Sequence, residues 1–251
     1  MTTETTRRIL RPEQRLIVSA DFKPPKDEPK KRQWARTQVL NLADDLHGTG
    51  IGIKINSALR AIGYDLADEM HNRGLSLCAD LKIFDIGETL STDGIFLKEA
   101  APELLTVVCF AGKAAIVALK AELPNTEVLG VSVLTTFTDG DSVDMFDRSA
   151  ESAVLHFSGL VADSGLDGLI SSAKEVLALR AKFGDRFSFN TPGIRPKWAV
   201  VPGDDQKRVM TPTEAIQAGV TRMIIGRPII QAKNRRDATM QTLDEIISAL
   251  G

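Results

Sequence analysis

The residues best able to do chemistry stand in one short stretch, Asp80-Leu81-Lys82-Ile83-Phe84-Asp85, at the end of the apolar run LSLCADLK (75–82). Alternation along a strand puts Asp80 and Lys82 on one face with Cys78, and Leu81 and Ile83 on the other. Leu81 and Ile83 suit a side covered by helices, so the two charges point inward, where a charge is costly unless paired. Lys54 closes the preceding run with Ile53 and Ile55 on its opposite face, and Asp85 falls just past the strand. Two lysines and two aspartates thus converge. Such a set is either a buried ion-pair network that fixes register or an active site, and four charges from two adjacent strand ends favour the active site. Asp21 ends the first run as Lys54 ends the second, either ordering its loop or touching a substrate.

A second cluster has the chemistry of an anion grip. Gly226 and Arg227 directly follow the last β-branched run, and Pro228 suits the first turn of a short helix. Loop and helix-start N–H groups there, with a bidentate guanidinium, suit a phosphate, and Arg195 and Gln206 stand in the long loop before it. His47, His71 and His156 lie far from these strand ends and from the cysteines, so neither a Ser-His-Asp set nor structural zinc is supported. Cys78 and Cys109 sit in apolar runs and read as buried thiols of a reducing compartment.

The elements that must position these groups follow a repeating pattern. Eight runs, at 16–21, 50–56, 75–82, 104–110, 127–134, 167–171, 186–190 and 221–226, alternate with amphipathic stretches such as WARTQVLNLADDL, ALRAIGYDLADEM, AAIVALKAEL, ESAVLHFSGLVAD and AKEVLALRAKF. Eight βα units in 251 residues predict an α/β fold, a TIM (β/α)8 barrel, as one domain over 1–251, with 1–14 a polar extension or cap. A doubly wound open sheet would need fewer strands, and no G-x-G-x-x-G follows the first run. The Pro- and Lys-rich stretch 22–33 reads as a solvated loop between strand and helix. Residues 191–212, with four prolines and two glycines, form a long loop on the face where barrel active sites are built.

Thirty-one Lys and Arg against 33 Asp and Glu give a net charge of −2, which offers no global attraction to nucleic acid or an anionic membrane. No apolar stretch approaches the length of a spanning helix, and MTTETTRRILRPEQ lacks a signal peptide's apolar segment. A cytoplasmic protein with no membrane or nucleic-acid partner is expected.

The segments DLKIFDI (80–86), GLDGLISSAKE (165–175), TPGIRP (191–196), GDDQKRVMTP (203–212) and IIGRPI (224–229), in this order and at these places, resemble orotidine 5′-monophosphate decarboxylase. The resemblance implies a barrel homodimer that converts orotidine 5′-monophosphate to uridine 5′-monophosphate and carbon dioxide with no cofactor and no metal. It makes Lys54, Asp80, Lys82 and Asp85 a charged tetrad, with Asp85 serving the neighbouring subunit's site and Lys82 protonating the ring carbon. Asp21 becomes a ribose contact, Thr89 a ribose contact across the dimer, Thr136 the residue beside the pyrimidine, and Arg195, Gln206, Gly226 and Arg227 the phosphate set. The chemistry of the residues agrees: loss of carbon dioxide leaves a poorly delocalised carbanion, which needs a positive charge and a ready acid beside it.

The chain departs from that family where Gly87-Glu88 stand before Thr89 in place of Pro-Asn, and where Val108 stands for a histidine. These segments also resemble the sugar-phosphate branch of the superfamily, which uses magnesium, a glutamate in place of Lys54 and a histidine after the sixth strand. Here Ser171-Ser172 follow that strand. A decarboxylase or aldolase of that branch, or a non-catalytic nucleotide-binding relative, is the alternative.

Overall fold

The computed structural model describes residues 10–199 and 210–251. Each β-branched run becomes a strand: β1 (Leu16–Ser19), β2 (Gly52–Ile55), β3 (Ser76–Ile83), β4 (Leu104–Val108), β5 (Glu127–Val131), β6 (Gly168–Ile170), β7 (Ser188–Pro192) and β8 (Arg222–Ile225). All pair in parallel, in sequence order, and β8 returns to β1 to close an eight-stranded barrel. The TIM barrel expected from the repeat is what the chain adopts. Except in β3 and β7, the strands end before their apolar runs do, because the last residues of those runs turn into the loops that carry the site.

The helical layer is α1 (Lys31–Asp45), α2 (Ser57–Ile62), α3 (Leu66–His71), α4 (Gly87–Ala100), α5 (Lys113–Glu122), α6 (Asp139–Phe146), α7 (Ala150–Leu160), α8 (Ala173–Phe183), α9 (Pro212–Ala218), α10 (Arg227–Ile230) and α11 (Arg235–Leu250). The stretch ALRAIGYDLADEM, read as one helix, is two: Gly63 at φ +123° ends α2, and the chain restarts at α3. A φ in that range is open to glycine and strained for other residues. The loop after β7 also differs from its expected start, since Thr191 and Pro192 continue the strand. Leu10 is buried, and the short 3₁₀ turn Pro12–Arg15 packs against β1, β2, β8 and α11. Residues 1–9 of the expected N-terminal cap lie outside the described residues.

Between strands and helices lies a continuous apolar layer, with Leu42, Leu66, Met70, Leu119, Val176, Phe189 and Ile246 fully buried. Inside the barrel a smaller cluster of Ile17, Cys78, Leu104, Leu129 and Ile224 forms a floor. The barrel narrows at β6, where a Cβ on Gly168 would stand 2.7 Å from the Ser188 carbonyl oxygen. At the N-terminal end the buried Arg222 guanidinium of β8 donates to both oxygens of Glu127 on β5, at 2.7 and 2.9 Å, and to Asn190 on β7 at 3.3 Å. That bidentate pair ties together strands 95 residues apart.

Removing one partner would leave a buried charge unpaired. Glu127→Ala should lower the unfolding free energy by about 3 kcal/mol, measured by urea denaturation, with much of it recovered in a Glu127→Leu, Arg222→Met double variant. A loss under about 1 kcal/mol would reduce this tie to a surface-grade ion pair.

Candidate active site

A cavity of about 480 Å³ opens at the C-terminal end of the barrel, bounded by residues from the ends of all eight strands. This is the face where a barrel can vary its loops without disturbing its strands. Asp80, only 6% exposed, is its centre. Its Oδ2 accepts from Lys54 Nζ at 3.0 Å and from Asn56 Nδ2 at 3.3 Å, and its Oδ1 accepts from Lys82 Nζ at 2.6 Å and Thr106 Oγ1 at 3.0 Å. Lys54 Nζ also donates to both oxygens of Asp21, at 3.0 and 3.2 Å, and Ser19 Oγ donates to Asp21 at 2.6 Å. The result is an alternating row of charges, Asp21, Lys54, Asp80, Lys82, running from β1 to β3 along the floor.

Burial alone would push the Asp80 carboxyl up, but the ammonium groups of Lys54 and Lys82 outweigh it and hold its pKa at about 2. Burial would likewise lower Lys54, and Asp80 and Asp21 overcome this, so Lys54 is raised above its ordinary value. Both are therefore charged across the neutral range. Burial pushes Cys78, in the same floor, up to about 12, so its thiol is inert there.

Lys82 reaches the inward side expected of it, by a less regular path than alternation. Ala79 pairs with Leu105 and Ile83 with Val107, so three residues of β3 bulge against Thr106 of β4. Lys82 takes φ +48°, a left-handed conformation that costs a non-glycine residue about 1–3 kcal/mol. Leu81 is buried in the helix-facing layer, and Ile83 packs against it as expected. Arg60 of α2 braces this turn, donating to the Leu81 carbonyl at 3.1 Å and to Asn56.

At the other side of the cavity stand Arg195, Gly226 and Arg227. Arg195 is buried and donates to the Ile194 carbonyl, and its N–H bonds the Met210 carbonyl at 2.8 Å, joining the two ends of the long loop. Gln206 lies outside the described residues. Thr136 is exposed on the loop after β5, and its neighbour Thr135 lines the cavity. Asp85 and Thr89 are also exposed, at the rim. Asp85 accepts the N–H of Ile86 at 2.7 Å and is not part of the cavity wall of its own chain. Thr106, Asn56 and Ser19 are site residues that sequence reasoning missed. A lone Thr in LLTVV reads as ordinary strand composition, and only the register of β4 against β3 marks it.

The family profile for the orotidine 5′-phosphate decarboxylase / HUMPS family matches residues 14–241. Over 241 residues, 93% of this chain and 96% of the relative, the chain is 32% identical to orotidine 5′-phosphate decarboxylase of Aliivibrio fischeri. The chain belongs to the orotidine 5′-phosphate decarboxylase / HUMPS family. The corresponding enzyme of Idiomarina loihiensis is 34% identical over 212 residues, covering 82% of this chain and 91% of that one. In fold, the chain matches the crystal structure of orotidine 5′-phosphate decarboxylase from Lactobacillus acidophilus with a TM-score of 0.75, at 24% identity, over 93% of this chain and 99% of that one. The family's barrel is thus present with a charge-alternating row in its floor, buried at Lys54 and Asp80.

Because Asp80's folded pKa lies below its ordinary 3.8, its ion pairs stabilise the fold above about pH 4, and this contribution is lost as pH falls through about 2. Asp80→Asn should cost about 3 kcal/mol of unfolding free energy at pH 7. Its deficit against the parent should shrink between pH 4 and pH 2, followed by urea titration at each pH. A deficit constant across that window would mean that Asp80 is not held ionised by its neighbours.

Proposed function

We propose that this chain decarboxylates orotidine 5′-monophosphate to uridine 5′-monophosphate and carbon dioxide, without cofactor, in pyrimidine biosynthesis. The observation that carries this reading is the Asp80 carboxylate held ionised between two ammonium groups, in a cavity whose opposite side presents Arg195 and Arg227. The relatives' names agree with it. The 5′-phosphate would lie against Gly226, Arg227 and Arg195, with Gln206 reaching it from the loop, and the ribose against Asp21 and Lys54. The pyrimidine carboxylate would then sit near Asp80 and Lys82.

When the carbon–carbon bond breaks, its electron pair remains on the ring carbon and carbon dioxide departs. Lys82, whose side chain is 31% exposed to the cavity, opposes that charge and gives it a proton, forming the product C–H bond. Solvent then restores the ammonium. Val131, Val133, Leu134 and Ile170 line the cavity beside these charges, and their low polarity strengthens the interaction.

Two further parts of the reading rest on the rim. Phe84 and Ile86, the neighbours of Asp85, and Phe110, whose ring packs on Phe84, are 46–70% exposed, an apolar surface suited to covering by a second copy. In such a homodimer Asp85 and Thr89 would enter the partner's cavity, consistent with their exposure in a single chain. The buried, free cysteines Cys78 and Cys109 suit a cytoplasmic setting, and no helix among the described residues is long and apolar enough to cross a membrane.

The sugar-phosphate alternative fits the residues less well. Lys54 Nζ lies between Asp21 and Asp80, 3.0 Å from each, so an ammonium already pairs the carboxylates that a divalent cation would need. A non-catalytic relative would have no use for a buried Lys54–Asp80 pair flanked by two further charges at the cavity.

Carbon dioxide release from orotidine 5′-monophosphate in the presence of a chelator tests the reaction, and its absence overturns the assignment. Lys82→Ala should lower kcat by at least about 10³-fold while uridine 5′-monophosphate still binds. Loss of product binding in the same proportion would assign Lys82 to binding alone.

The shared site is tested by mixing Lys82→Ala with Asp85→Ala chains under conditions of verified subunit exchange. A random mixture contains about half heterodimers, each with one intact site, so roughly a quarter of all sites should be native. Activity no higher than that of the parent variants would place Asp85 in its own chain's site.

A further inference from the structure

We propose that Thr106 is a positioning residue for the reaction: its hydroxyl sets the β3 bulge that aims the Lys82 ammonium. This rests on the reading of Lys82 as the group that meets the developing carbanion.

Thr106 is 1% exposed in the middle of β4, a strand whose other residues, Leu104, Leu105, Val107 and Val108, are apolar. Leu105 faces Ala79 and Val107 faces Ile83, so residues 80–82 of β3 lie against Thr106 alone. A regular ladder would give the Lys82 N–H a backbone carbonyl. Here that N–H donates instead to Thr106 Oγ1, at 2.9 Å.

The same hydroxyl donates its proton to Asp80 Oδ1 at 3.0 Å. That oxygen is the one gripped by Lys82 Nζ at 2.6 Å. The bonds close a ring: Lys82 N–H to Thr106, Thr106 O–H to Asp80, and Lys82 Nζ to Asp80. An ionised carboxylate only accepts, so the direction of the hydroxyl is fixed, and its lone pairs are left for the Lys82 N–H.

The backbone of Lys82 gives this ring its consequence. At φ +48° it holds a conformation that a non-glycine residue keeps only when its surroundings impose it. The Thr106 hydroxyl binds both ends of the strained residue, its N–H directly and its ammonium through Asp80. Valine would fill the same space and make neither bond, leaving a buried N–H unpaired. The bulge would then relax and carry Nζ away from Asp80.

The test compares Thr106→Val and Thr106→Ser in the full chain. Thr106→Val should lose about 100-fold in kcat, as expected for a misplacement of about 1 Å, while KM and the affinity for uridine 5′-monophosphate stay within about three-fold. Thr106→Ser, which keeps the hydroxyl and loses the methyl, should stay within about five-fold of the parent in kcat. A space-filling role predicts the reverse order. Full activity in Thr106→Val, or equal losses in both variants in step with their melting temperatures, would overturn the proposal.

A crystal structure of Thr106→Val separates this inference from the assignment of the reaction. If the parent releases no carbon dioxide from orotidine 5′-monophosphate, the reaction is wrong, and the position of Lys82 still decides. Lys82 out of the left-handed region, with Nζ beyond 3.5 Å of Asp80, upholds the positioning role. Lys82 unmoved overturns it.

Discussion

Asp80 is a carboxylate taken almost wholly out of water and kept ionised there by two ammonium groups, one on β2 and one on its own strand. Desolvation would protonate a lone carboxyl in that place, and without Asp80 the buried Lys54 would keep only the exposed Asp21 as its partner. The groups are therefore tolerable only as a set. The set requires the ends of β1, β2 and β3 to lie side by side at one depth, and the parallel pairings Ser19 with Lys54 and Lys54 with Cys78 provide this. Closing the barrel is what lets these strand ends meet a common interior.

The site stores its strain locally. An ordinary pleat would run β3 past β4 residue for residue. The bulge inserts extra length at Asp80 to Lys82, and a left-handed residue carries the lysine of interest. Around it stand bonds enough to hold it: Thr106 on one side, Arg60 on the Leu81 carbonyl on the other, and the carboxylate in front. A side chain fixed in this way gives up little entropy when a reacting atom arrives, which is how prepaid order lowers a barrier. The stability that tolerates such strain comes from elsewhere, from the apolar layer under the helices and the Arg222 to Glu127 tie at the far end of the barrel.

The cavity separates its tasks by distance. Charged groups that cancel one another occupy the floor, apolar side chains of β5 and β6 form a wall, and the guanidinium groups of the loop after β7 and of α10 stand apart. A phosphate held at the far side supplies binding energy without touching the reacting carbon, and such energy can order the loops around the floor. The rim is a third region, where Asp85 and Thr89 stand among exposed aromatic and aliphatic side chains and make no use of their own cavity.

Much of this was legible in the chain because period and charge are local properties. Eight β-branched runs separated by amphipathic stretches determine a parallel barrel, since only strands buried on both faces read that way. An inward Asp-x-Lys beside an inward Lys is costly enough to mark a site. The same reasoning took Gly63 for part of a continuous helix and could not see the bulge in β3, because alternation assumes a regular pleat. Only the folded chain decides which hydroxyl, amide and carbonyl complete the charges: Thr106 through a shifted register, and Asn56 and Arg60 through the packing of α2, while the turn of one loop sets Thr135 at the cavity wall. These contacts join residues up to 26 positions apart in the chain. Their types are unremarkable in sequence, because a threonine in a strand costs nothing by itself and acquires meaning from what the neighbouring strand places against it.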